Sequence, residues 1–130
     1  MDILLKTQEI ILKKEKGEDA EMSSLQMEEE ITKILTSPKL ATIKAMLEKD
    51  HAIDCLFLLL MGKGRWKDAK AFMNKHKLTL SDGTFRARMI EIEHLGLAKS
   101  TQIDPLKKYY TITQKGEEIA RLLLQLLQKI

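Results

Sequence analysis

The sequence predicts a mainly α-helical fold with one small β-hairpin, an α+β class. Three observations predict it. Apolar residues recur at three- and four-residue spacing along most of the chain. Ser, Gly and Pro stand where such segments would start and stop. One stretch, LAKSTQIDPLKKYYTIT at 97–113, alternates instead around an Asp104-Pro105 turn signal.

The elements follow in order. Residues 2–15 carry Ile3, Leu4, Ile10 and Ile11 at near-helical spacing and end at Gly17, and KGEDAE is a polar joint. Ser23 or Ser24 caps a second helix with Leu25, Ile31, Ile34 and Leu35 on one side, beside the acidic run Glu28–Glu30. Ser37 with Pro38 opens a third, whose buried stripe is Leu40, Ile43, Met46 and Leu47. Asp50 is the expected cap of the next, apolar almost all round over 51–61 and so the central one, stopped by Gly62 and Gly64. RWKDAKAFMNKHKL gives a helix at about 66–77 with Trp66, Ala69, Phe72 and Met73 on one face. Ser81 caps the helix that ends at Gly96. A strand at 97–103, a turn at 104–107 and a strand at 108–113 come next, and Thr113 caps a C-terminal helix. From Asp50 onward, this order is the layout of a winged helix-turn-helix. Three parts are expected: a helical extension over 1–49, the winged helix-turn-helix domain over 50–113, and a dimerisation helix over 114–130.

Composition bounds the function. The chain has 130 residues, 44% hydrophobic and 32% charged, as expected of a foldable soluble protein. With aromatics at 5%, the core must come from Leu, Ile and Met. The longest apolar run, Cys55–Met61, is far short of the roughly 20 residues a membrane helix needs. The N-terminus has neither a basic start nor a cleavage signal, so no secretory peptide is expected. The single cysteine, Cys55, excludes an internal disulfide and reads as a buried, inert thiol in a cytoplasmic protein. The net charge of +3 is uneven. Residues 1–50 hold 8 Lys/Arg against 11 Asp/Glu, and residues 51–130 hold 14 against 8. A basic second half suits a nucleic-acid surface.

The expected third helix of the motif, 82–95, has two sides. Phe85, Met89, Ile92 and Leu95 make one buried stripe, and Gly83, Ala87, Ile90 and His94 lie opposite, with Arg86 and Arg88 on the flanks. Small residues at 83 and 87 let the backbone approach a DNA groove. Ser81, Thr84, Arg86, Ala87 and Arg88 are therefore candidate DNA contacts, although both arginines also suit ordinary solvated positions. Ile90 faces outward in this reading, towards a partner or the N-terminal arm. On the hairpin, parity puts Tyr110 and Ile112 on one face, Tyr109 and Thr111 on the other. Tyr109 is thus free either to hydrogen-bond a phosphate or to cover the hairpin surface.

AKAFMNKHKLTLSDGTFRARMIEIEHLGLAKS resembles the helix-turn-helix of bacterial and archaeal winged-helix transcriptional regulators, through Thr84-Phe85, Met89, Ile92-Glu93 and Leu95-Gly96-Leu97. PLKKYYTITQKGEE is similar to the wing of PadR-like regulators, with its basic pair, two tyrosines, apolar-Thr step and Gly in that order. The resemblance covers about residues 51–125. It implies that Lys107 and Lys108 touch DNA phosphates, that Tyr110 and Ile112 pack on the core, and that Thr113 caps a dimerisation helix. Relative to short members of that family the first 50 residues are an extension, and the C-terminal part is a single helix.

Ile119, Leu123, Leu126 and Ile130 run at 4-3-4 spacing in that last helix, with Leu122, Leu124 and Leu127 beside them. The stripe fits a coiled-coil-like seam with a second subunit, or burial by residues 1–48 of the same chain. No cofactor loop, metal-ligand spacing or catalytic triad stands out: GKGR at 62–65 lacks the P-loop frame, and His51, His76 and His94 have no ligand spacing with Cys55. The sequence thus points to a non-enzymatic, homodimeric, sequence-specific binder of double-stranded DNA that regulates transcription at the nucleoid. The alternatives are a winged-helix protein-interaction module and an architectural protein that binds DNA without sequence preference. No residue set identifies a small-molecule effector, the operator, or the sign of the regulation.

Overall fold

The computed structural model describes residues 23–130. The helix expected over 2–15 and the joint after it lie outside the described residues. Six helices and one two-stranded antiparallel hairpin make up the described chain, a mainly α, winged-helix-like α+β arrangement. It divides into two units, with the boundary between Met46 and Leu47.

In the first unit, α1 spans Ser24–Leu35. Ser23 is its cap: the hydroxyl accepts the Gln26 N–H at 3.1 Å, and the Gln26 side chain accepts the Ser23 N–H in return. None of its residues is buried, and Met27, Ile31 and Ile34 lie exposed. Helix α2, Pro38–Leu47, starts at the expected Ser37-Pro38 signal, with the Ser37 hydroxyl accepting the Lys39 N–H. Of its expected stripe Met46 is buried, and Leu40, Ile43 and Leu47 are half-buried.

The second unit is built around α3, Ala52–Leu60, whose Ala52, Cys55, Leu56, Leu58 and Leu59 are all buried. A helix apolar on nearly every side needs cover on every side, and the remaining elements supply it. These are α4 (Trp66–Lys75), α5 (Asp82–His94), β1 (Ala98–Asp104), β2 (Lys107–Ile112) and α6 (Gln114–Lys129). Helix α3 contacts α5, β2 and α6 directly, and Trp66 of α4 meets Phe85 of α5 with ring centroids 5.4 Å apart. Of the expected stripe Phe85, Met89 and Ile92 are buried, and Leu95, at the C-terminal cap of the helix, is half-buried. Cys55 is fully buried, and burial pushes its thiol up from 9.0 to about 12, so it stays protonated at neutral pH.

One local expectation is corrected. Asp50 does not cap α3. The cap position is His51, in a left-handed conformation at φ 64°, with no side-chain capping bond. Its Nδ1 sits 2.7 Å from Asp54 Oδ2 instead, so the ring is held by the first turn rather than holding it.

Candidate nucleic-acid interface

The hairpin is positioned by three attachments. Its register pairs Ala98 with Ile112, Ser100 with Tyr110 and Gln102 with Lys108 on one face, and Lys99 with Thr111 and Thr101 with Tyr109 on the other. The first face packs inward: Ala98 and Tyr110 are buried. Burial, with the Glu93 carboxylate nearby, pushes the Tyr110 phenol above its ordinary value, partly offset by Arg86. Second, the Tyr110 N–H donates to the Gly64 carbonyl at 2.9 Å, so the loop between α3 and α4 acts as a one-residue third strand. A Cβ at Gly64 would run into the Tyr110 carbonyl, which is why glycine stands there. Third, Glu93 at the end of α5 accepts the Ser100 N–H at 2.8 Å, tying the hairpin to that helix.

Thr113 then joins the hairpin to α6. Its hydroxyl accepts the Gly116 N–H at 3.1 Å and donates to the Gly96 carbonyl at 2.8 Å, while its own N–H donates to Leu97 O. Gly116 lies flat against the Leu97 backbone, where a Cβ would collide with the carbonyl oxygen. The glycine of the QKGEE segment is therefore a packing requirement of the hairpin's base.

The candidate contacts at the hairpin are Lys107, Lys108 and Tyr109. Both lysines are exposed and flank the turn, on opposite faces of β2 by parity. Tyr109 is half-buried, and the Arg65 guanidinium lies 5.9 Å from its ring centroid. Arg65 precedes α4, so a cation–π contact joins the loop before that helix to the outer face of the hairpin. Between that loop and β2 lies an open groove of about 460 Å³ lined by Leu59, Gly64, Arg65, Asp68, Tyr109 and Ile112, among others. Lys63, Arg65, Lys67, Lys70, Lys99, Lys107 and Lys108 have no ion-pair partner among the described residues. They spread from the start of α4 to the hairpin.

Helix α5 is arranged differently. Ser81 caps it: the hydroxyl accepts the Thr84 N–H and donates to Thr84 Oγ1 at 2.9 Å, so both side chains are engaged locally. Arg86 is exposed, and its Nε donates to Asp82 Oδ1 at 2.8 Å, four residues back. Ala87 is half-buried. Arg88 is drawn inward, with its side chain 16% exposed and Nε 3.2 Å from Glu91 Oε2; both atoms are buried and not aligned as a hydrogen bond. Lys49 Nζ donates to the other oxygen of Glu91 at 2.7 Å. Arg88 thus belongs to a Lys49–Glu91–Arg88 cluster and not to the exposed side of α5, which carries Gly83, Arg86, Ile90 and His94.

The roles of Gly64, Arg65 and Glu93 do not follow from the sequence expectations, which give Gly62 and Gly64 only as the stop of α3; a glycine beyond the one needed to end the helix is the available signal for a close backbone approach. Arg65 and Tyr109 are 44 positions apart, and nothing local connects them.

Of the expected seam on α6, Ile119 and Leu123 are half-buried, while Leu126 and Ile130 are exposed. The first half of the helix, with Gly116 and Ala120, packs against α3 and β2. The second half presents Leu124, Leu126, Leu127 and Ile130. Among the described residues no helix is long and apolar enough to cross a membrane, and no three His, Cys, Asp or Glu side chains converge as metal ligands. Comparison with protein-family models, curated proteins and solved structures finds no match to this chain.

Proposed function

We propose that the chain binds double-stranded DNA through its hairpin and the start of α4, with the N-terminal part of α5 at the major groove. The observation that carries this reading is the run of cations from Lys63 to Lys108 that lack carboxylate partners among the described residues. A Lys or Arg that neutralises a phosphate releases the counterions condensed on the duplex there, and an unpaired one does so without first giving up a carboxylate. Lys107 and Lys108 are the phosphate contacts at the hairpin, and Tyr109, half-covered by Arg65, lies beside them. Base reading falls to Thr84, Arg86 and Ala87, because Arg88 is turned inward. The exposed end of α6, with Leu126 and Ile130, supports a homodimer, and so two half-sites. The wing resemblance supports a PadR-like transcriptional regulator acting at the nucleoid in the cytoplasm.

Binding of a random duplex pool by the full chain, followed by sequencing of the bound fraction at stated salt, tests this directly. Enrichment of a two-fold symmetric site is the expected result. Binding without enrichment would leave an architectural role, and absence of binding at low salt would remove DNA as the partner. A protein-interaction reading is favoured by one observation: Ile90 is 57% exposed on the outer side of α5 while the arginines around it are ion-paired.

A further inference from the structure

The apex of the hairpin carries a feature that phosphate contacts do not use. Leu106 is 87% exposed at the turn, and Ile103 is 45% exposed just before it. The register steps from Gln102↔Lys108 to Asp104↔Lys107, which leaves Ile103 as the extra residue of a bulge. Bulges re-aim a side chain out of the regular alternation of a strand. The turn is also braced. Asp104 Oδ1 accepts the Leu106 N–H at 2.8 Å, the Gln102 amide donates to the Asp104 carbonyl at 2.6 Å, and Pro105 fixes its own φ. The only carboxylate of the apex is therefore engaged by its own backbone. Beside it stand the exposed cations Lys107 and Lys108, whereas Lys99, opposite Thr111, lies at the base of the hairpin.

A stiff apolar tip beside two exposed cations on opposite faces of β2 is complementary to a polyanion with an apolar interior, which describes a base stack between two phosphate rails. We propose that Leu106, supported by Ile103, is a wedge that enters the minor groove and partly unstacks one base step, bending the duplex towards the major groove. Apolar side chains inserted in this way kink DNA by roughly 20–90°. The inference rests on the DNA-binding reading above and adds a source of selectivity to it. Flexible pyrimidine–purine steps open more readily than A-tracts, so the wedge favours a TA or CA step without a hydrogen bond to any base. That suits an α5 whose arginines are largely committed to carboxylates.

The test uses the full chain and two end-labelled duplexes, one with a central TA step beside 2-aminopurine and one with an A-tract. End-to-end energy transfer reads the bend, 2-aminopurine fluorescence reads unstacking, and titration reads affinity. The expected result is a bend and a fluorescence rise on the TA duplex with the wild type. With Leu106→Ala both should be lost while the salt dependence of binding is kept, since Lys107 and Lys108 remain. Binding to straight, stacked DNA, or an equal bend with Leu106→Ala, overturns the wedge and leaves the DNA reading standing. Absence of binding to either duplex overturns both. Vesicles of phosphatidylserine serve as the competing surface: if Leu106→Ala releases the chain from them and leaves the DNA bend unchanged, the apex serves a lipid and the wedge is overturned.

Discussion

The hairpin and helix α5 both carry cations expected at DNA, and they treat them in opposite ways. On the hairpin, Lys99, Lys107 and Lys108 stand without an ion pair among the described residues. On α5, Arg86 donates to Asp82 and Arg88 faces Glu91, each within one helical turn. A basic residue count does not distinguish these regions. What does is the position of carboxylates relative to the helical repeat: i,i+3 and i,i+4 partners meet on a helix surface, and no such spacing operates along a strand. Charge available to a polyanion is thus set by secondary structure as much as by composition.

The largest effect is expected where the hairpin is fastened to the helices. Gly64→Ala places a methyl group against the Tyr110 carbonyl, and should destabilise the second unit by about 3 kcal/mol, or prevent folding, in urea denaturation. An unchanged midpoint would mean that the loop is not a third strand. Next comes the inward arginine. Arg88→Ala leaves Glu91 half-buried with Lys49 alone, and should cost about 1–3 kcal/mol of stability with DNA affinity unchanged at matched folding. A loss of affinity without a loss of stability would return Arg88 to the interface. Thr113→Ala removes both the cap of α6 and the bond to Gly96, for about 1–2 kcal/mol, and should leave α5 untouched when amide exchange is followed residue by residue. The smallest effect is expected at the exposed pair. Asp82→Asn removes the carboxylate beside Arg86 at a stability cost of about 0.3–0.5 kcal/mol. It should tighten duplex binding to a preferred site in a titration, because a freed guanidinium reaches a base edge without first leaving a carboxylate. No change in affinity would show that Arg86 lies away from the DNA.

Much of the architecture was readable from local chemistry. Ser81 and Thr113 cap their helices as their neighbours suggest, Phe85, Met89 and Ile92 are buried at their helical spacing, and the parity of Tyr109 and Tyr110 follows from the strand period alone. Two kinds of feature were not. Asp50 has the chemistry of a cap, but the chain turns one residue later, at a left-handed His51 that carries no capping signature. The Arg65–Tyr109, Lys49–Glu91 and Glu93–Ser100 contacts depend on how elements pack, and the first two join residues more than 40 positions apart. The withdrawal of Arg88 was in principle visible, since Glu91 stands at i+3. Its burial was not, because the Lys49–Glu91 contact on the same cluster comes from another part of the chain.

The difference between the two regions is tested most directly by the salt dependence of duplex binding. The wild type is compared with Lys107→Ala/Lys108→Ala and with Arg86→Ala. Each lost phosphate contact should reduce the slope of log affinity against log salt by about 0.9, so the hairpin variant should flatten it by about 1.8. Arg86→Ala should leave the slope nearly unchanged while relaxing any sequence preference. A slope that flattens with Arg86→Ala and survives loss of both hairpin lysines would contradict the assignment of phosphate binding to the hairpin.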